Sequence, residues 1–559
     1  MEIIYTVLIL LASVAVSGML YRLMPFTVPL PLMQIVIGAL LAWPGFNIGL
    51  SFEPDIFMLL FIPPLLFADA WRIPKRELYA HRKPVLMLAL GLVFFTIAGI
   101  GYFVHWLVPS VPLPIAFALA AVLSPTDAVA LSGIVGKKRL PAQLMHVLEG
   151  EALLNDASGL VALRFAVKAA LTGTFSLWAA TGSFVLVALG GLAVGGAFAW
   201  IFNWTRRRIA TLLGGDDPGT QVLLTLLLPF AAYLLAEHLG LSGILAAVAA
   251  GMTMNYSFDA KDYSVATRMR ASSVWEMIEL TFNGIIFIML GQQFPAILGR
   301  ALIDAHRTDP ALEWQLVGEV LAVAGMLFLL RFLWVWVLRW VSSRKLSRLG
   351  LKSAIPGMRT AAITSFAGVR GAITLAGILS LPFLTLDGNP LPARDTVIFL
   401  ASGVILISLV AAAIALPLLL RNETPRGEDQ QTREERETRV RIAQAAINAI
   451  EREHKAVAKQ WEASDVEADA SLLADVAAQV ATIYRRPVQA SSDTAELRER
   501  AIAASQVSRR LHIAALRAER ELLFKLRGSN DINDETLTKL LHEADVAESA
   551  IMARGIGQS

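Results

Sequence analysis

Residues 113–135 read LPIAFALAAVLSPTDAVALSGIV. A helix needs ~20 apolar residues to cross a hydrocarbon core, and this run has that length. It is broken halfway by Ser124-Pro125-Thr126-Asp127. Proline removes a backbone donor and clashes with the preceding turn, and Ser, Thr and Asp side chains bond the groups so freed. Non-helical backbone survives at membrane depth only where protein or water covers it. The stretch therefore reads as a membrane span with a polar break inside a bundle, its carbonyl oxygens turned out beside Asp127. A plain proline kink is the simpler reading, and the adjacent acid argues against it.

Outward from this stretch the pattern repeats. The chain of 559 residues is 55% hydrophobic and 17% charged, with a mean hydropathy of +0.58. A soluble domain does not need that surplus, whereas a bundle solvated by lipid does. Apolar runs of spanning length number about thirteen, at approximately 3–21, 26–44, 54–71, 85–108, 113–135, 142–170, 177–203, 219–238, 241–256, 274–299, 313–341, 357–382 and 395–420. The expected fold is an all-α polytopic membrane protein, residues 1–420, followed by a charged, Ala-rich helical tail, residues 421–559. The first run has no positive n-region and no small-residue cleavage site, so it reads as a retained helix. Trp43, Trp71, Trp106, Trp204, Trp275 and Trp340 fall near span ends, where amphipathic rings favour the headgroup level.

Basic residues set the direction. Loops after spans 3, 5, 7, 9 and 11 carry Arg72/Lys75/Arg76/Arg82/Lys83, Lys137/Lys138/Arg139, Arg206/Arg207/Arg208, Lys261/Arg268/Arg270 and Arg344/Lys345/Arg348/Lys352, and the opposite loops are nearly bare. The positive-inside rule then puts the N-terminus outside and the tail in the cytoplasm. The net charge of +3 gives no footprint for nucleic acid. Absence of cysteine excludes a disulfide framework, a thiolate metal site and a Cys nucleophile. In the tail no Gly-rich strand–turn–helix pattern marks a nucleotide-binding regulator; neither an enzyme nor a bound cofactor is expected.

Charges inside spans cost roughly 2.5–3.5 kcal/mol each on the insertion scale and ask for a partner or a purpose. Span 6 holds the most, in Glu149-Gly-Glu151-Ala-Leu-Leu-Asn155-Asp156-Ala-Ser158. At 100° per residue Glu151 and Asn155 stack on one face, and Asp156 lies ~140° round from Glu151. Span 12 reads Gly368-Val-Arg370-Gly371. Its arginine cannot deprotonate, and the acids of span 6 are the expected partners. If span 7 is a linker, spans 1–6 and 8–13 are six-helix repeats of opposite orientation, and the two interrupted spans, 5 and 12, correspond. Paired interruptions point to a transporter's midplane site. Asp69, ending span 3, is either interfacial or an entrance-side ligand. Glu237 and His238 read as hydrated at a span end, Arg164 and Lys168 as snorkelling, and Gly191-xxx-Gly195 as close helix packing.

Together and in order, Glu151-Ala-Leu-Leu-Asn155-Asp156, Thr126-Asp127-Ala-Val-Ala and Gly368-Val-Arg370-Gly371-Ala resemble the NhaP-type sodium/proton exchangers of monovalent cation:proton antiporter family 1. The likeness covers the membrane region. The tail, with Asp531-Ile-Asn533-Asp534-Glu535 before a last helix, is similar to that of long-tailed bacterial members. The resemblance implies a homodimer in the bacterial inner membrane, with a rigid dimerisation half and a mobile core half. It implies that Asp156 is the ion-binding aspartate and Asn155 its paired amide. It further implies that Glu151 and Arg370 form a structural ion pair, that Thr126 and Asp127 sit on an unwound crossing helix, and that Asp69 lines a cytoplasmic funnel. Ala152 stands where many relatives supply a hydroxyl, and Pro125 precedes Thr126-Asp127 where relatives often place it after the acid.

A small alkali cation is hard and takes oxygen ligands. Asp156, the Thr126 carbonyl and waters held by Asp127 and Ser158 would supply them. Burial disfavours an ionised carboxyl and a bound cation favours it, so cation and proton would compete for one group. The expected function is antiport of Na⁺, with Li⁺ or K⁺ as possible ions, against H⁺, one for one and electroneutral. A K⁺/H⁺ antiporter and a monovalent cation channel are the alternatives. A channel would prefer rings of acids or carbonyls about an axis. In the tail, Ala443, Ile447, Ile450, His454, Val457 and Trp461 form a helix seam, read as dimer support.

Overall fold

The computed structural model describes residues 2–24, 28–42, 58–135, 140–173, 177–213, 217–257, 265–308, 310–348, 358–385, 388–421, 430–463, 474–482, 495–529 and 531–555. Trp43, Lys137, Lys138, Arg139, Lys261 and Lys352 lie outside them. Two compact units form, Met1–Asn422 and Glu423–Ser559.

Among the described residues of the first unit the regular structure is helical, with an isolated bridge, Leu384 to Pro390, as its sole β feature. Its elements are α1 (Glu2–Leu23), α2 (Leu30–Leu41), α3 (Ile62–Arg72), α4 (Lys75–Ala80), α5 (Arg82–Leu107), α6 (Leu113–Leu123), α7 (Ala128–Val135), α8 (Ala142–Thr172), α9 (Leu177–Leu213), α10 (Pro218–His238), α11 (Gly243–Ser257), α12 (Val265–Thr308), α13 (Pro310–Arg348), α14 (Met358–Phe366), α15 (Ala372–Leu379) and α16 (Arg394–Leu420). Among these, α5 contains a π-helical turn at Met87–Leu92. Asp217 starts α10 by accepting from the Thr220 N–H at 2.8 Å, ahead of Pro218 in the first turn.

Seven of the described helices are long and apolar enough to cross a membrane, and α6 with α7 make an eighth, bent by 48°. Other expected spans miss that standard for readable reasons. Helix α8 is 31 residues long but carries Glu149, Glu151, Asp156, Arg164 and Lys168, while α2 and α11 are 12 and 15 residues. Span 12 is split into α14 and α15, of nine and eight residues.

The helices pack as two groups. One joins α1, α2, α3, α9, α10, α11 and α12, and the other joins α5, α6, α7, α8, α13, α14, α15 and α16. In the first group Gly191 and Gly195 lie against α11. A Cβ on Gly191 would meet the Ser242 carbonyl oxygen at 2.5 Å, and one on Gly195 would strike the Ala246 backbone, so small residues set that close approach. Trp275, read as a ring at headgroup level, is not exposed. It is fully buried against Phe67 and Trp71, ring centroids 5.2 and 6.0 Å away, and clamps α12 to α3. Trp106, Trp204 and Trp340 are exposed.

In the second unit, α17 (Gln430–Ala463), α18 (Ala495–Gly528) and α19 (Asp534–Gly555) are amphipathic. Ala443 and Ile447 of the expected seam are buried, and Leu522 is exposed. Arg520 joins α18 to α19 through Asp545 at 2.6 Å and Glu548, and these acceptors hold its guanidinium above its ordinary range. Asn533 caps α19 through the Thr536 N–H at 2.8 Å.

Candidate functional site

The two interrupted spans cross in the second helix group. Helix α6 ends at Leu123 and α7 begins at Ala128; α14 ends at Phe366 and α15 begins at Ala372. Their extended middles are joined by the Asp127 N–H donating to the Val369 carbonyl at 2.8 Å. Four helix ends with unsatisfied backbone groups therefore meet in the bundle. Such ends carry roughly half a unit charge each, positive at N-termini and negative at C-termini.

Two side chains answer those charges. Asp127 Oδ1 accepts from the N–H groups of Val129 and Ala130, at 2.8 and 2.9 Å, and so caps α7. Its Oδ2 lies against Gly371, the residue that opens α15, where a Cβ would collide with the carboxylate. Arg370 serves the opposite ends. Its Nε donates to the Leu123 carbonyl at 3.1 Å and its Nη1 to the Gly368 carbonyl, while its own N–H is taken by Ser408 Oγ at 3.1 Å.

The ion pair expected between Glu151 and Arg370 is formed by a different arginine. Arg331, in the middle of α13, grips Glu151 with two bonds, Nη1 to Oε1 at 2.5 Å and Nη2 to Oε2 at 2.8 Å, and its Nε donates to the Thr364 carbonyl at 2.9 Å. Glu151 is 1% exposed and Arg331 2%. The physical reason is competition for Arg370: two carbonyl ends of broken helices already engage its guanidinium, and α13 brings a second cation to the acid. Arg331 is the residue that sequence reasoning missed. The signal was present, since a fixed cation within the apolar window Trp314–Leu338 falls under the same rule that singled out Arg370.

From Glu151 the order passes along a chain. Thr126 Oγ1 donates to Glu151 Oε1 at 3.3 Å, which leaves its lone pairs to accept from Asn155 Nδ2 at 3.0 Å. The amide is thus oriented with its nitrogen toward Thr126. Its Oδ1 is buried and accepts no hydrogen bond from the described residues. Asp156 follows directly. It is 7% exposed, lies within electrostatic reach of Asp127 and Asp69, and makes no hydrogen bond or ion pair with a described residue. Ser158 Oγ donates back to the Leu154 carbonyl at 3.0 Å. Asp69, on α3, is exposed and in electrostatic reach of Asp127, Glu149, Glu279 and Arg72. The structure therefore gathers Thr126, Asp127, Glu151, Asn155, Asp156 and Arg370 at the crossing, and brings Asp69 up from the other helix group. The carboxylate of Asp156 and the unpaired amide oxygen of Asn155, both buried, suit a hard monovalent cation or a proton.

Further along α8, at the end away from Glu149, Arg164 Nη2 meets Glu237 Oε1 of α10 at 2.8 Å. The same oxygen accepts from the Gly243 N–H at 3.1 Å. Residues read separately as snorkelling and hydrated thus form a bridge between the two helix groups.

The family model described as sodium/hydrogen exchanger, transmembrane, matches residues 8–422. The chain is similar to YjcE of Escherichia coli (strain K12), described as an uncharacterized Na⁺/H⁺ exchanger, with 47% identity over 554 residues, 99% of each chain. It is also similar to a sodium, potassium, lithium and rubidium/H⁺ antiporter of Bacillus pumilus, with 41% identity over 498 residues, 88% of this chain and 71% of the relative. In fold it resembles the antiporter MjNhaP1 of Methanocaldococcus jannaschii, solved at pH 8, with TM-score 0.56 and 19% identity over 76% of this chain and 99% of the other. On the extent of the family match and of the identity, this chain belongs to the transmembrane sodium/hydrogen exchanger family of cation:proton antiporters.

Proposed function

We propose that the protein exchanges Na⁺, and also Li⁺ or K⁺, for H⁺ at Asp156, one cation per proton, by alternating access. The observation that carries this reading is the freedom of one carboxylate. Glu151 is held by Arg331 and Asp127 caps α7, whereas Asp156 has no described partner and stands beside the unpaired Asn155 Oδ1. With the Thr126 carbonyl, and waters on Asp127 and Ser158, it forms an oxygen-ligand set that a cation and a proton cannot occupy together. With Asp156 as the one carrier, a proton exchanged for a monovalent cation moves no net charge per cycle. The breadth of ions is supported by the Bacillus pumilus relative, whose description includes four alkali cations.

The group of α5–α8 and α13–α16 would be the moving body, and the other group, through a homodimer, the fixed one, with spans 1–6 and 8–13 as inverted repeats. Following the basic residues, the face bearing Arg72 and Glu149 is cytoplasmic, the N-terminus is outside, and the tail is cytoplasmic and supports the dimer, in the bacterial inner membrane.

The test is reconstitution in proteoliposomes, with voltage clamped by ionophore and internal pH followed after external Na⁺, Li⁺, K⁺ or Rb⁺. Alkalinisation that is indifferent to the clamped voltage is expected. A voltage-driven cation current without proton movement would favour the channel reading instead.

Alternating access also requires the Arg164–Glu237 bridge to part when the outer side opens. The pair is partly exposed, with Arg164 51% open to solvent, so its worth is at most ~1 kcal/mol. Arg164→Gln should therefore raise the cation concentration for half-maximal exchange from the cytoplasmic face by at most about fivefold, as inward-open states lose population. No change beyond error would mean the bridge does not bias the two states.

A further inference from the structure

Below Asp69 the first helix group holds an ion pair that the exchange cycle does not use. Arg72, one turn on from Asp69 along α3, donates through Nη1 to Glu279 Oε2 of α12 at 2.5 Å. Asp69 is within electrostatic reach of both partners. Three and four residues apart on a helix, side chains are neighbours, so the Arg72 guanidinium has two carboxylates to choose between. Arg72 is 41% exposed and Glu279 20%, and the two helices are clamped together by Phe67, Trp71 and Trp275. The acid is thus the fixed member and the arginine the movable one.

We propose that Glu279 is a positioning residue for cation entry, which keeps the Arg72 guanidinium off Asp69 and so leaves Asp69 free to receive incoming cations. This rests on the reading that cations reach Asp156 past Asp69. A guanidinium is permanently charged and hydrogen-bonds carboxylates in a fork geometry. Released onto Asp69, it would act as a tethered competitor for every cation that enters, at a local concentration no soluble ion matches. Among the described residues, the other charged groups in electrostatic reach of Asp69 are acidic: Glu149, paired at 3.5 Å with His146 on α8, and deeper Asp127 and Asp156. Lys75 is turned aside over the Tyr256 ring, 5.0 Å from its centroid. Among the described residues, Arg72 is the cation that Glu279 holds beside Asp69.

The test uses everted membrane vesicles, whose outer surface is the cytoplasmic face, from a host lacking its own exchangers. Wild type, Glu279→Gln, Arg72→Gln and the double variant are compared for the Na⁺ concentration giving half-maximal proton release. Glu279→Gln should raise that concentration about 3- to 10-fold at unchanged maximal rate. Arg72→Gln should leave it at or below wild type, and the double variant should return to within about twofold of wild type. If the pair is merely a tie between α3 and α12, Arg72→Gln will be as impaired as Glu279→Gln and the double variant will not recover, which overturns the proposal. If Glu279→Gln does not accumulate in the membrane, Arg72→Gln alone decides, a rise above about threefold counting against it. Failure of the underlying reading shows separately, as a wild type that releases no protons or an Asp156→Asn variant that still does.

Discussion

Asp156→Asn in proteoliposomes is expected to exchange no faster than protein-free liposomes while remaining folded. The substitution is isosteric and removes no described hydrogen bond or ion pair, so its cost in stability should stay within ~1 kcal/mol. Its effect on exchange should be complete, because an amide neither titrates nor offers a charge to a cation. The neighbouring acids do not substitute for it. Asp127 is engaged at the N-termini of α7 and α15, and Glu151 is saturated by a guanidinium and a hydroxyl. Residual exchange above about a tenth of the wild-type rate would move the carrier to Asp127 or Asp69. Thermal unfolding in detergent, run on the same preparation, separates lost chemistry from lost fold.

The second large effect is on stability. Arg331→Met should destabilise the protein by about 3–5 kcal/mol, because it leaves Glu151 buried without its cation. Removing both partners is different. In Arg331→Met with Glu151→Leu no charge is stranded, and much of the stability should return. Exchange should not return with it. Thr126 then loses the acceptor that directs its hydroxyl, and Asn155 loses the arrangement that turns its Oδ1 away from Thr126. Recovery of stability without recovery of exchange is the expected split, read by thermal unfolding and by cation-driven alkalinisation. A single variant as stable as wild type would show that Arg331 does not hold this site. Arg370 acts by another route: neutralising it strands the carbonyls of Leu123 and Gly368, not the acid of α8.

The sequence by itself determined that the chain is a helical membrane protein, where two of its helices break, and which stretch of α8 bears the residues proposed as the site. Those features are local. A helix closes its hydrogen bonds within a few residues, so hydropathy, a proline in 124–127 and glycines at 368 and 371 report span and interruption directly. The family motifs are equally short. What the tertiary structure decided is pairing. Either of two fixed cations, Arg331 or Arg370, would meet the demand of buried Glu151 for a positive neighbour, and Arg331 is the one that does. Which one meets it depends on where α13, 180 residues away along the chain, carries its guanidinium. The same holds for Trp275, which reads as interfacial by position and is buried by α3, and for Arg164 with Glu237 and Arg72 with Glu279, joined across 73 and 207 residues. Charge and hydropathy are properties of a residue and its near neighbours along the chain. The identity of a partner is a property of where distant helices come to rest, and no short-range pattern encodes it.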